Sequence, residues 1–348
     1  MNPFIYTSHP QRVIFGPGCL DQVGAEVERL GARRALVLCT PEQVASAGQV
    51  AQRLGDRCAG IYPHAVMHVP VETARAARAE AARLDADCAV AIGGGSTTGL
   101  GKAIALESGL PILAIPTTYA GSEMTSIWGL TEAGVKKTGR DARVLPRTVL
   151  YDPLLTLTLP LGLSVTSAMN AIAHAAEGLY AHDGNPVVAL MAEEAVRASA
   201  AAMAGLVRDP HDLAARSDAL YGAWLAGCVL GAVAMGLHHK LCHTLGGSYN
   251  LPHAEVHTVV LPHALAYNAA AAAPAMARVA RALRAAGVPG VGERPLDAAI
   301  ALQALARQAG APVTLAAIGM PEHGLGRVAD LAVLTPYPNP RPLERAAL

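Results

Sequence analysis

The chain has 348 residues, 52% of them hydrophobic and 16% charged, with Lys plus Arg and Asp plus Glu balanced at 27 each. That is enough apolar material for two globular domains, and it excludes a disordered chain. The balanced charge sets up no field that would draw the protein to nucleic acid or to an anionic membrane, so the expected ligands are small molecules. Six cysteines without a Cys-x-x-Cys pair, several inside apolar runs, read as buried thiols of a reducing cytoplasm. The start Met1-Asn2-Pro3-Phe4-Ile5-Tyr6 has no basic stretch followed by an apolar one, and no apolar run reaches membrane-spanning length. The expected location is cytoplasmic.

In chain order, Arg12 to Phe15 reads as a strand, Leu20 to Leu30 as a helix, Ala35 to Cys39 as a strand, and Ala45 to Leu54 and Glu72 to Leu84 as helices. Cys88 to Ile92 and Ile112 to Pro116 are short apolar runs suited to parallel strands buried on both faces, and Val149 to Tyr151 is the last predicted strand. This alternation predicts an α/β domain with a parallel sheet. After Leu159-Pro160 the chain turns to Ala-, Leu- and Met-rich stretches at helical period, with hardly a β-branched run before Val256 to Leu261. The predicted organisation is an α/β domain over residues 1–158 and an all-α domain over 159–348. The tail Thr335-Pro336-Tyr337-Pro338-Asn339-Pro340-Arg341-Pro342 is too proline-rich for helix or central strand and reads as an extended segment.

The chemistry begins at Gly93-Gly94-Gly95-Ser96, directly after the Cys88 strand. Glycines remove the Cβ atoms that would hold a diphosphate away, and the helical pattern from Thr98 to Leu106 aims its positive dipole end at the negative charge. A plain strand-to-helix turn needs fewer glycines. The Gly-Lys-Ser/Thr of a P-loop is absent, and the spacing is a poor Gly-x-Gly-x-x-Gly.

In the second half the histidines are unevenly spread. Asn170 and His174 share a helix face, as do His239 and His243, and His253 follows in Pro252-His253. Neutral imidazoles at such spacing can hold a divalent metal, and His243 can alternatively relay a proton. One such histidine alone would be an ordinary hydrogen-bonded core residue; three on neighbouring helices point to a site.

Gly93-Gly94-Gly95-Ser96, Pro116-Thr117-Thr118 with Gly121-Ser122-Glu123, Asn170-Ala171-Ile172-Ala173-His174, and His239 through His243 to Pro252-His253 occur in the order and spacing of the iron-containing alcohol dehydrogenase superfamily, which this chain resembles. The resemblance covers almost the whole chain. It implies an N-terminal dinucleotide-binding α/β domain with a parallel sheet, and an all-α C-terminal domain as in dehydroquinate synthase. It also implies a cleft for nicotinamide and substrate between them, and one divalent metal on an Asp and three His. The implied metal positions are Asn170, His174, His239 and His253, with His243 as proton relay.

Asn170 stands where the family's aspartate is implied, and Gly99 where its metal-dependent members carry Asp. Three neutral histidines and an amide lack an anionic ligand, so the expectation is a vestigial site with no required metal. The Gly-Gly-Gly-Ser-Thr-Thr-Gly-Leu-Gly-Lys turn, the Asn170 exchange and the Tyr-Pro-Asn-Pro-Arg-Pro tail resemble the family branch that acts in aromatic-compound breakdown. That branch reduces the C=C bond of 4-oxohex-2-enedioate, a dicarboxylate whose double bond is conjugated to a ketone. Hydride addition there develops an enolate, less basic than an alkoxide, which hydrogen-bond donors can stabilise. His243 is the expected proton donor, with His239, His174 and His253 as enolate stabilisers or substrate ligands.

Lys240 and Arg341 are the cationic candidates for the substrate carboxylates, with Tyr119 and Ser122 as neutral donors and Asn170 as a further substrate contact. For the cofactor, Gly93, Gly94, Gly95 and Ser96 are expected on the diphosphate, and Thr117, Thr118 and Ser122 on the nicotinamide half. Thr40 lies where relatives place an Asp on the adenosine ribose, so NADH is expected with NADPH accepted as well. The expected assembly is a homodimer. The alternative is an iron- or zinc-dependent primary-alcohol or polyol dehydrogenase using Asn170 as fourth ligand. Dehydroquinate synthase would need several lysines and arginines for a phosphorylated substrate, and the histidine region offers mainly Lys240. A cofactor-sensing module has no need of clustered histidines.

Overall fold

The computed structural model describes residues 4–133, 135–334 and 337–348. Met1 to Pro3, part of the predicted start, and Thr335 and Pro336, the first residues of the predicted tail, lie outside them. Two compact units are present among the described residues: one within 9–158, and one within 159–348 together with residues 4–8.

The first unit runs β1 (Arg12–Phe15), α1 (Val23–Arg29), β2 (Ala35–Leu38), α2 (Val44–Leu54), β3 (Cys58–Tyr62), α3 (Val71–Arg83), β4 (Cys88–Gly93), α4 (Gly95–Ser108), β5 (Ile112–Pro116), β6 (Ile127–Glu132), β7 (Val135–Arg140) and β8 (Thr148–Tyr151). Six strands form one parallel sheet in the order β1-β8-β5-β4-β2-β3. Every residue of β2, β4, β5 and β8 is buried, because helices cover both faces, which is why their sequences are continuous apolar runs. One core lies under α1 and α2 around Val23, Val50, Val90 and Ile115, and the other under α3 and α4 around Leu36, Ala77, Leu100 and Ile104. The chain leaves β2 for the edge strand β3 and returns to β4 on β2's other side, so the ends of β2 and β4 flank a topological switch point. The antiparallel pair β6–β7 stands apart from this sheet; β6 carries Ile127, Trp128 and Leu130 around Gly129 and β7 is mainly polar, so the pair lacks the continuous buried apolar run of the sheet strands.

The second unit contains α5 (Leu161–Leu179), α6 (Pro186–Arg208), α7 (Leu213–Ala232), α8 (Leu237–Tyr249), α9 (His253–Asn268), α10 (Ala273–Ala285), α11 (Asp297–Gln308) and α12 (Leu325–Leu334). The β-branched run Val256 to Leu261 lies inside α9. Helix α5 is the axis of the unit: from Ser164 to Gly178 every residue is buried. A Cβ at Gly178 would collide with the Val229 side chain, and one at Gly222 with Ser199, so these glycines set how closely α5, α6 and α7 approach. Burying so much of α5 buries its polar residues Asn170, His174 and Glu177 as well. No single helix among the described residues is long and apolar enough to cross a membrane.

Candidate active site

Gly236 caps the start of helix α8, whose first backbone N–H groups need acceptors. Glu177 of α5 supplies them: its carboxylate accepts from the N–H groups of Gly236 at 3.1 Å, His238 at 2.9 Å and His239 at 3.3 Å. A buried anion at a helix N-terminus is held by both hydrogen bonds and the helix dipole. The same carboxylate lies 2.6 Å from His239 Nδ1. With Nδ1–H donated to Glu177, the lone pair of His239 is fixed on Nε2. Glu177 is the functional residue that sequence reasoning missed. The available signal was an acid one turn beyond His174 on the same helix.

Three imidazoles converge on this point. The ring centroids of His174 and His239 are 5.0 Å apart, and those of His239 and His257 5.1 Å. One donor atom from each of His174, His239 and His257 falls within 4.8 Å of the others. His174 Nδ1, His239 Nε2, both ring nitrogens of His257 and Asn170 Oδ1 are buried with no hydrogen-bond partner among the described residues. Burial first, and then the neighbouring imidazoles, hold the pKa values of all three histidines well below the ordinary histidine range, so they are neutral. Neutral, unpartnered and convergent nitrogens are lone pairs aimed at a common centre, the condition a divalent metal satisfies.

The other histidines stand around this group. His238, pushed down to about 4 mainly by burial, bonds the His257 carbonyl through Nε2 at 3.0 Å. His253 is half-buried, 4.2 Å between centroids from His257, and stacks against the exposed His243 at 6.5 Å. His243 is in turn 6.2 Å from His239. His257, four residues past His253 on α9, is the second residue the sequence reading passed over.

The expected carboxylate-binding cations both lie where the tail meets the helices, Lys240 against a tail residue and Arg341 on the tail against α9. Lys240 Nζ lies 5.9 Å from the Tyr337 ring centroid, and the Arg341 guanidinium lies 4.2 Å from that of Tyr267. Arg341 also faces Glu344 at 3.7 Å. Asn339 exchanges amide hydrogen bonds with Asn268, so the described part of the extended tail is tied down onto α9.

In the first unit, Gly93 has φ 149°, outside what an L side chain adopts readily. A Cβ there would strike the hydroxyl of Thr97 and come within 2.5 Å of Gln43 Oε1. Gln43 in turn donates to Thr117 Oγ1 at 2.7 Å, joining the expected diphosphate turn to the expected nicotinamide loop. Thr118 lies 3.0 Å from the Cβ position of Gly94, Gly95 is exposed and Ser96 half-buried. Tyr119 is fully buried and Ser122 half-buried. The loop carrying them is pinned by Lys102, whose buried ammonium donates to the carbonyls of Ser122, Thr125 and Ile127 at 2.7–2.8 Å. Thr40 precedes the short turn Pro41–Gln43, and its hydroxyl bonds the Glu42 carboxylate, which lowers the Glu42 pKa. A carboxylate therefore stands beside Thr40 although Thr40 is not acidic itself.

Sequence comparison decides the family. Residues 10–153 match the iron-containing alcohol dehydrogenase family, and residues 164–348 match the C-terminal part of the Fe-containing alcohol dehydrogenase family. The chain belongs to the iron-containing alcohol dehydrogenase family. It is 65% identical to a maleylacetate reductase of Burkholderia cepacia, over 100% of this chain and 96% of that one. It is 57% identical to a maleylacetate reductase of Sphingobium indicum, over 98% and 94%. The crystal structure of maleylacetate reductase from Agrobacterium tumefaciens superposes with a TM-score of 0.93 at 50% identity, covering 100% of this chain and 96% of that one.

Membership corrects one expectation. No required metal was expected from Asn170, but a family defined by bound iron overturns that reading. The physical reason is Glu177: counting only direct ligands missed a carboxylate whose charge reaches the site one hydrogen bond away, through His239.

Proposed function

We propose that this protein, an NAD(P)H-dependent oxidoreductase of the iron-containing alcohol dehydrogenase family, reduces the conjugated C=C bond of maleylacetate, 4-oxohex-2-enedioate, to 3-oxoadipate in the breakdown of aromatic compounds. The observation that carries this reading is the buried imidazole cluster braced on Glu177, in a chain 65% identical along its whole length to a maleylacetate reductase. Six free cysteines support a cytoplasmic setting, and a homodimer is the assembly we propose.

When bound, the nicotinamide supplies a hydride and the metal a Lewis acid for the substrate's oxygen. The remaining work falls to the chain. His174, His239 and His253 would hold the metal, with Asn170 beside them, and Glu177 keeps the His239 lone pair on Nε2. Gly93, Gly94, Gly95 and Ser96 hold the diphosphate with backbone N–H groups at the start of α4. Thr117, Thr118 and Ser122 take the nicotinamide half.

Once hydride has added to the carbon β to the ketone, the electron pair of the C=C bond lies on an enolate. A proton delivered to the α carbon completes the reduction. We assign that delivery to His243, whose exposure lets it recover a proton from solvent and whose neighbours His239 and His253 give it a path to the cluster. Lys240 and Arg341, already placed against aromatic rings, answer the substrate carboxylates. The test is NADH and NADPH oxidation with maleylacetate, beside ethanol and glycerol oxidation with NAD+. Turnover with maleylacetate and little with the alcohols is expected; the reverse would assign the chain to alcohol or polyol oxidation.

A further inference from the structure

We propose that His257 is a metal ligand, occupying the coordination position that the family fills with an aspartate and that this chain leaves to Asn170. The inference rests on this cluster being where the family's metal is held. His257 is fully buried in α9, and neither of its ring nitrogens has a hydrogen-bond partner among the described residues. A buried imidazole with both nitrogens unbonded costs free energy at each of them, and native folds rarely tolerate it without a missing partner. Its donor atom lies within 4.8 Å of donor atoms on His174 and His239, so one ion placed among them would take one nitrogen from each of the three. Asn170 Oδ1 is also unpartnered, but a neutral amide oxygen is a poor replacement for a carboxylate.

The exchange keeps the number of donors and moves the negative charge outward. An imidazole nitrogen replaces the carboxylate oxygen, and Glu177, 2.6 Å from His239 Nδ1, carries the charge behind a ligand rather than on one. A nitrogen-rich shell of this kind suits zinc, cobalt and nickel better than manganese or magnesium. His257 thus links the loss of the aspartate to the retention of a metal.

Two measurements test this. Zinc affinity is measured by competition against a chromophoric chelator for the wild type, His257→Asn, and His257→Asn with Asn170→Asp, each checked for native circular dichroism. The expected result is a loss on the order of 10²-fold or more for His257→Asn, above the loss typical of an outer-shell change, and substantial recovery when Asn170→Asp restores the carboxylate. X-ray absorption of the zinc-loaded wild type should count four imidazoles on the ion, the number that His174, His239, His253 and His257 supply, a readout that does not need His257→Asn to fold. Unchanged affinity in His257→Asn, or imidazole scattering from only three residues, overturns the proposal while leaving the metal reading standing. A wild type that binds no divalent metal overturns both.

Discussion

Around Gly93 the chain clears side chains away, whereas around Glu177 three helices bring together buried polar groups that no single helix could satisfy. The first region is made mainly of backbone: a glycine at φ 149° and a helix N-terminus, with the Thr117 hydroxyl held nearby by Gln43. The second is made of side chains held neutral by burial and oriented by one carboxylate. A site made of backbone suits a group common to many ligands, such as a diphosphate, and a side-chain site can be changed one residue at a time. This is how the chain can carry Asn170 in place of an aspartate and keep the rest of the cluster.

If the two regions divide the labour in this way, damage to one should leave the other's function intact. The largest effect is expected at His243. His243→Ala should lower turnover on the order of 10²-fold or more while leaving the NADH dissociation constant near wild type, as loss of a general acid does. Turnover, cofactor affinity and thermal stability measured on one preparation check this, and near-normal turnover would remove His243 from the chemistry. The opposite pattern is expected at Gly93. Gly93→Ala meets Thr97 and Gln43 and should cost about 1–3 kcal/mol of stability, with cofactor affinity lost and zinc affinity kept. Gly95→Ala, whose nearest neighbour would be Ala120 Cβ at 3.8 Å, should stay within roughly 0.5 kcal/mol in a denaturant titration.

How legible the two regions were in the sequence follows from the same contrast. Gly93 to Ser96 is local, so the strand, the turn and the helix after it can be read from consecutive residues. His174 and His239 were visible as helix-face pairs with Asn170 and His243. Glu177 and His257 were not, because their meaning depends on α5 meeting the start of α8 and on α9 turning its next buried face to the same point. The parallel sheet could be anticipated from its buried apolar runs, and β6–β7 could not, because β6 is broken by Gly129 and only half-buried and β7 is mainly polar. Absence of a carboxylate at Thr40 was equally a local reading, and it overlooked Glu42 two residues on.

Smaller effects sharpen the comparison on the cofactor side. Burial pulls the Lys102 pKa down to about 7, with buried Glu123 pulling it back up. Below pH 7 the folded and unfolded chains both hold the proton. Between about 7 and the ordinary lysine value of 10.5, only the unfolded chain does, so raising the pH favours the fold. Wild-type stability should therefore rise relative to Lys102→Met across that window, and Lys102→Met should itself be destabilised by roughly 1–3 kcal/mol for the carbonyls left without a donor. A flat difference across the window would contradict the assignment. The smallest change is expected at Glu42. Glu42→Gln should raise the efficiency with NADPH relative to NADH several-fold, because it removes the carboxylate beside Thr40 that opposes a 2′-phosphate. An unchanged ratio would place ribose selection elsewhere.

The central claim, reduction of a conjugated C=C bond by a cluster built like an alcohol dehydrogenase site, is tested most directly by following the hydride. Maleylacetate is turned over with nicotinamide-4-deuterated NADH and the product examined by NMR. The account predicts 3-oxoadipate with deuterium on the carbon β to an intact ketone. Deuterium on a carbinol carbon, with the C=C bond retained, would show carbonyl reduction and contradict it.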